Sequence, residues 1–143
     1  MSYKDVFNSS VEVGARIVIL LAGLGRKLDL DELVFFDYAS TYSGDFQGES
    51  SLHPVLLNRL AELVRRREIF PAAIKLFISK GLVSSQVDDL GVRYYTTREG
   101  LEFAGKLSSD YHADFWRRVS WVEANFDHLT AQRSTIYKID RVV

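Results

Sequence analysis

Apolar side chains recur every three or four positions from residue 11 to 24. Val11, Ala15, Val18 and Ala22 run beside Ile17, Leu21 and Leu24. That spacing predicts a helix that is apolar over a wide arc. Ser9 and Glu12 precede it at capping-box spacing, and Gly23-Leu24-Gly25 offers a glycine for the left-handed C-cap. Asp29 and Glu32 repeat the start signal, predicting a second helix from Leu30 to about Tyr42 that carries Leu33, Val34, Phe36 and Tyr38. Residues 43–51 read as loop by composition. Pro54 suits the first turn of a third helix, with Leu56, Leu57, Leu60, Leu63 and Val64 as its stripe. Proline inside a helix costs about 3 kcal/mol, so a fourth helix is predicted to start at Pro71, run to Lys80 and close at Gly81. Leu82 to Val87, a turn at residues 88–91, and Val92 to Thr96 then read as a hairpin. Thr97 caps a short helix over Glu99–Leu107. Ser109 or Asp110 caps a longer one to about Phe126, carrying Tyr111, Phe115, Val119 and Val122. The tail from Ala131 holds Ile136, Tyr137, Ile139, Val142 and Val143, with no predicted cover.

The expected class is therefore mainly α with a small β-hairpin. Phe77-Ile78-Ser79-Lys80-Gly81-Leu82-Val83, the turn at Gly91, and Tyr94-Tyr95-Thr96-Thr97-Arg98-Glu99-Gly100 resemble the winged helix-turn-helix superfamily. The chain reads as a single domain over residues 1–143. Its winged-helix core would span about 54–107, with added N-terminal helices at 9–43 and a C-terminal helix at 109–127 followed by the tail. Leu60, Leu63, Leu76, Val83 and Tyr95 are expected to share one core. With 143 residues, 47% hydrophobic and 26% charged, the composition is that of one globular domain.

The chain has no cysteine, which excludes disulfides, thiolate zinc sites and cysteine nucleophiles and suits a cytoplasmic location. Its longest nearly apolar run, Ile17 to Leu24, is far below the ~20 residues needed to span a bilayer. No export signal is read at the N-terminus. The net charge of −1 is unevenly spread: residues 1–53 sum to −4, residues 54–106 to +3, and residues 107–143 to zero. Only the middle third offers an anionic partner a docking place.

A DNA-reading helix presents Arg, Asn, Gln or Lys to base edges. Residues 71–80 offer only Lys75, Ser79 and Lys80 among apolar neighbours, and the wing tip is acidic at Asp88 and Asp89. Against that stand Arg65, Arg66, Arg67, Arg93 and Arg98, which with Lys75 form the candidate contact set for nucleic acid or a protein partner. A run such as Arg65-Arg66-Arg67 also fits a plain solvated face or ion-pair site. The three histidines, His53, His112 and His128, show no paired-ligand spacing. Asp37, Asp45 and His53 lie near one another around the loop and suggest metal or acid–base chemistry. Turn formation at Asp45 and helix initiation near His53 are the stronger explanation. No catalytic residue, metal ligand or cofactor is therefore assigned, and no enzyme is expected. Eighteen aromatic side chains (nine Phe, seven Tyr, two Trp) are many for so small a core. Some are expected near the surface as binding anchors, around the fourth helix or Trp116 and Trp121.

A more specific resemblance rests on residues in register. These are Leu33 to Tyr38; Ser43, Gly44 and Asp45; Gly48; Leu52, His53 and Pro54; Arg59; Glu62; and Arg66 to Ile69. Ser79 to Val83, Gly91, Tyr94, Phe103, Tyr111 and Trp121 continue the series. Over residues 9–126 the chain resembles the middle component of bacterial ABC-three-component systems, the Lamassu-like anti-phage defence complexes. The resemblance implies a non-catalytic accessory subunit linking an SMC- or Rad50-like ABC ATPase to an effector subunit encoded with it. DNA would be a contact only within that complex. It also makes Asp37, Ser43, Gly44, Asp45, Leu52, His53, Pro54 and Glu62 family-motif positions of structural use. The competing reading is a DNA-binding winged-helix transcriptional regulator.

Overall fold

The computed structural model describes residues 9–54 and 58–133. Its elements are α1 (Ser10–Leu24), α2 (Leu30–Thr41), a 3-10 turn (Ser43–Phe46), α3 (Arg59–Ser79), β1 (Val83–Asp88), β2 (Gly91–Thr96), α4 (Arg98–Gly105) and α5 (Asp110–Ala124). A further helical stretch, α6, covers residues 126–133. The molecule is mainly helical with one antiparallel hairpin, paired in register from Val83↔Thr96 to Asp88↔Gly91.

Local signals set most of the boundaries. The Ser9 hydroxyl accepts from the Glu12 amide, and Gly25 ends α1 at φ 61. Asp29 and Glu32 form a reciprocal capping box at the start of α2. Thr97 and Ser109 cap α4 and α5 through the amides of Gly100 and His112.

α1 is the centre of the fold. It packs against α2, α3, α4, α5 and β2, and Val13 to Leu21 is buried without interruption. Such all-round burial is what an almost uniformly apolar helix predicts. Two glycines let the neighbours approach: a Cβ at Gly14 would enter the Phe77 ring, and one at Gly23 would lie 2.6 Å from Val119. Side chains from α1 to α6 and from β1 join a single apolar cluster that includes Phe35, Phe36, Phe70, Phe77, Phe115 and Leu129.

The third and fourth predicted helices are one. α3 starts at Arg59, capped by the Asn58 side chain on the Ala61 amide, and runs through Pro71. Pro54 therefore precedes the helix and does not open it. Leu63, Arg66, Phe70, Ala73, Ile74 and Phe77 form one buried stripe at intervals of three and four, and it keeps its phase across the proline. Pro71 is exposed, so its missing N–H falls on the wet side. Burial of the stripe outweighs a local penalty of about 3 kcal/mol. Leu63 and Val83 lie in the core as expected, and Leu76 packs against it, but Leu60 and Tyr95 do not join it. The C-terminal helix ends at Ala124 with Asn125 as its cap, close to the expected end near Phe126, and α6 covers the start of the predicted tail. Leu56, Leu57 and the apolar tail positions from Ile136 onward lie outside the described residues.

The short segment between α1 and α2 also meets the hairpin. Leu28 accepts from the Tyr94 amide at 2.8 Å and donates to the Tyr94 carbonyl at 3.0 Å, forming an isolated antiparallel bridge.

Candidate functional site

Two of the motif positions, Asp37 and Glu62, meet in a buried charge cluster between α1, α2 and α3. Asp37, on the inner face of α2, receives Arg16 Nε at 2.7 Å and Arg16 Nη2 at 3.2 Å from α1. From α3, Arg66 Nη1 donates to the same carboxylate at 2.6 Å and to Thr41 Oγ1 at 2.9 Å. Arg66 Nε donates to Glu62 Oε1, one turn back, at 3.0 Å. Arg16, Asp37, Thr41 and Arg66 are fully buried, and Glu62 nearly so. Two cations and two anions thus balance inside the helix bundle.

Burial alone would raise the Asp37 carboxyl. Arg16 first and Arg66 second outweigh it and hold Asp37 below the usual carboxylate range. Burial likewise opposes the charge on Arg16, yet Asp37 raises its pKa overall. Arg66 Nη2 is buried without a hydrogen-bond partner. Its guanidinium instead lies 5.5 Å from the Tyr42 ring centroid and 5.9 Å from that of Tyr38.

The loop that follows α2 is tied to this cluster at several points. The Leu52 and His53 amides donate to the Thr41 carbonyl at 2.8 and 3.4 Å. Ser43 Oγ donates to the Glu49 carbonyl at 2.8 Å, and the Gly44 amide donates to Ser51 Oγ at 3.2 Å. Asp45 accepts the Tyr38 hydroxyl at 2.6 Å. Burial, and then this bond, push the Tyr38 pKa up. His53 Nε2 lies 2.7 Å from Tyr111 Oη on α5. Burial, then Arg16 and Arg66, push the His53 pKa down to about 3, so the imidazole is neutral and a weak base near neutral pH. Asp37, Asp45 and His53 therefore go to three different partners. Leu52 packs against the core, whereas Pro54 is exposed. On the far side, Arg118 holds the loop through Glu49 Oε2 and the Ser50 carbonyl, both at 2.9 Å. Trp121 lies so close to Gly48 that a Cβ there would be 2.7 Å from its ring.

The candidate contact residues do not share one surface. Arg66 is inside, which removes it from the candidate contact set and makes it an ion-pair residue. The helix phase explains this: position 66 falls on the stripe of Leu63 and Phe70, while positions 65 and 67 flank it. Arg67 pairs with Asp31 at 2.6 Å, Arg93 pairs with Asp88 beside it on the hairpin, and Arg98 lies 3.7 Å from Glu102 on α4. Arg65 is half-buried, and Lys75 is exposed on the outer face of α3.

The surplus hydrophobic surface is aliphatic. The exposed large apolar residues among those described are Val11, Val64, Ile78, Val87, Leu90, Val92 and Leu101. Trp116 and Trp121 pack against the core instead. Two depressions mark α3. A groove of about 190 Å³ is lined by Leu30, Pro71, Ile74, Lys75, Ile78 and Tyr94. A shallower one of about 400 Å³ lies along Leu60, Val64 and Glu68.

Sequence reasoning missed Arg16, Arg118, the pairing of Tyr111 with His53, and the Leu30–Tyr94 side of the groove. Arg16 carried a usable signal, because a lone cation in an apolar helix requires a buried anion. The partners of Tyr111 and Arg118 had no local signal. Among the described residues, no group of three or more His, Cys, Asp or Glu side chains is placed to hold a metal ion. No helix among them is long and apolar enough to cross a membrane.

A family profile described as ABC-three component (ABC-3C) system Middle Component 2 matches residues 6–139. No curated protein and no solved structure is significantly similar to the chain.

Proposed function

The chain belongs to the Middle Component 2 family of ABC-three-component systems, and from that premise we propose that it is a non-catalytic adaptor. In this reading it joins an SMC- or Rad50-like ABC ATPase to an effector subunit in a Lamassu-like anti-phage complex. The observation that carries it is the outer face of α3. In a winged helix this is the surface that reads bases, yet here Val64, Pro71, Ala72 and Ile78 stand among Arg67, Glu68 and Lys75 along it, beside two depressions. Protein partners bury such surface, whereas base edges do not.

Element order supports a winged-helix architecture, with α1, the Leu28 bridge, α2, α3 and the hairpin in succession. On that reading α1 and α2 would belong to the winged-helix unit, in place of the core at about 54–107 expected from the sequence. All of these elements then form one domain. The motif residues support a structural role, since Asp37, Glu62 and Arg66 are spent on one another and Asp45 and His53 on tyrosines.

Copurification of the tagged chain from cells carrying all the component genes tests the proposal. Recovery of the ATPase and effector at fixed stoichiometry is the expected result. An isolated chain that binds a defined duplex at nanomolar affinity in physiological salt, with discrimination between sequences, supports the regulator instead.

A further inference from the structure

The groove between α3 and the hairpin combines three features that α3's own folding does not require. Ile78 is 39% exposed at its wall although a polar residue would serve a solvated position. Pro71 stands at the same wall, inside a helix that its ring penalises. Lys75, between them in the lining, makes no hydrogen bond or ion pair among the described residues, while neighbouring Arg67 is neutralised by Asp31. Local rules of this kind are broken where function outweighs stability.

We propose that this groove is the docking site for an apolar segment bordered by acidic residues in a partner subunit of the same system. The inference rests on the adaptor reading and names its contact surface. Charge complementarity decides the occupant. α3 carries Arg59, Arg65, Arg66, Arg67 and Lys75 against Glu62 and Glu68. Arg66 is balanced internally by Asp37 and Glu62, and Arg67 by Asp31, which leaves Arg59, Arg65 and Lys75 against Glu68 on α3, with Lys75 the charge that lines the groove. An apolar anchor fills the space between Ile74, Ile78 and Tyr94, and a carboxylate beside it meets Lys75. The lysine adds orientation and encounter rate; the apolar contact supplies most of the affinity. Val87 and Leu90 near the hairpin tip are more exposed still, but they line neither depression, and each has an aspartate next to it in the chain, Asp88 and Asp89.

The test uses the full chain with the ATPase and effector subunits encoded beside it. Ile78→Asp and Lys75→Glu should each weaken complex formation at least about tenfold. Lys75→Arg should retain it, and circular dichroism and melting temperature should be unchanged in all three. Benzoylphenylalanine at position 78 should crosslink to a partner stretch in which apolar residues are flanked by Asp or Glu, and converting those acids to Lys should restore binding to Lys75→Glu. If Ile78→Asp fails to fold, Ile78→Ser carries the apolar arm. Undiminished binding in the folded variants overturns the groove and leaves the adaptor reading standing. Crosslinking of position 78 to duplex DNA overturns it in favour of a nucleic-acid surface. A wild-type chain that binds neither subunit overturns both.

Discussion

Arg66 on α3 reaches Asp37 on α2 at 2.6 Å, and neither side chain is exposed to water. The contact joins residues 29 positions apart, and Arg16 meets the same carboxylate from α1. Three helices are thereby locked in one relative position. A buried pair of this kind adds little net stability over apolar packing, but removing one partner strands the other.

Asp37→Asn leaves two buried guanidiniums facing a neutral amide. It should cost about 3–5 kcal/mol. Arg66→Met should cost less, because Asp37 keeps Arg16 as its partner and the Glu62 left behind is partly in contact with solvent. Urea denaturation at pH 7 checks the order of the two variants. Equal stability of Asp37→Asn and the parent chain rules out the cluster as described.

His53 makes stability depend on pH in a defined window. Its pKa falls from 6.5 to about 3 on folding, through burial first and then Arg16 and Arg66. The unfolded chain therefore binds a proton that the folded chain refuses, and stability is fully present above pH 6.5 and lost as pH falls toward 3. The whole window amounts to roughly 3–5 kcal/mol. Asp37, whose pKa is also lowered, adds a loss only below the ordinary carboxylate range. In His53→Gln the slope between pH 6.5 and 4.5 should flatten. Melting curves that coincide at those two pH values in the parent chain would contradict the assignment.

Gly14→Ala sets two effects against each other. Helix propensity favours alanine by about 1 kcal/mol, but the added Cβ enters the Phe77 ring. Overpacking in a filled core typically costs about 1–3 kcal/mol, so net destabilisation is expected. Phe77→Leu in the Gly14→Ala background should recover part of it, giving a coupling energy that a double-mutant cycle reads directly.

Pro71→Ala should stabilise the isolated chain. Restoring the helix N–H and removing the ring favour the variant by up to about 3 kcal/mol, and a looser unfolded chain returns about 0.4–1 kcal/mol. A gain of roughly 1–2 kcal/mol in chemical denaturation is expected. Weaker recovery of the partner subunits by this more stable variant would mark Pro71 as retained for the groove.

The capped helix starts at Ser9, Asp29, Thr97 and Ser109 and the hairpin around residues 88–91 were legible in the sequence. Each depends on contacts within a few residues, so neighbours in the chain carry the whole signal. α3 was not legible, because the proline penalty is local while the stripe from Leu63 to Phe77 is favoured by what α1 and α2 bury against it. Arg66 was misplaced for the same reason: a charged residue on an apolar stripe reads as surface until its partner is known. Asp37 and His53 were visible as a pattern near the loop, but their uses were decided by side chains at positions 16, 66 and 111. Such long-range pairing is selected by the free-energy cost of leaving a buried charge or polar group unmet, and only the folded chain brings the partners within reach.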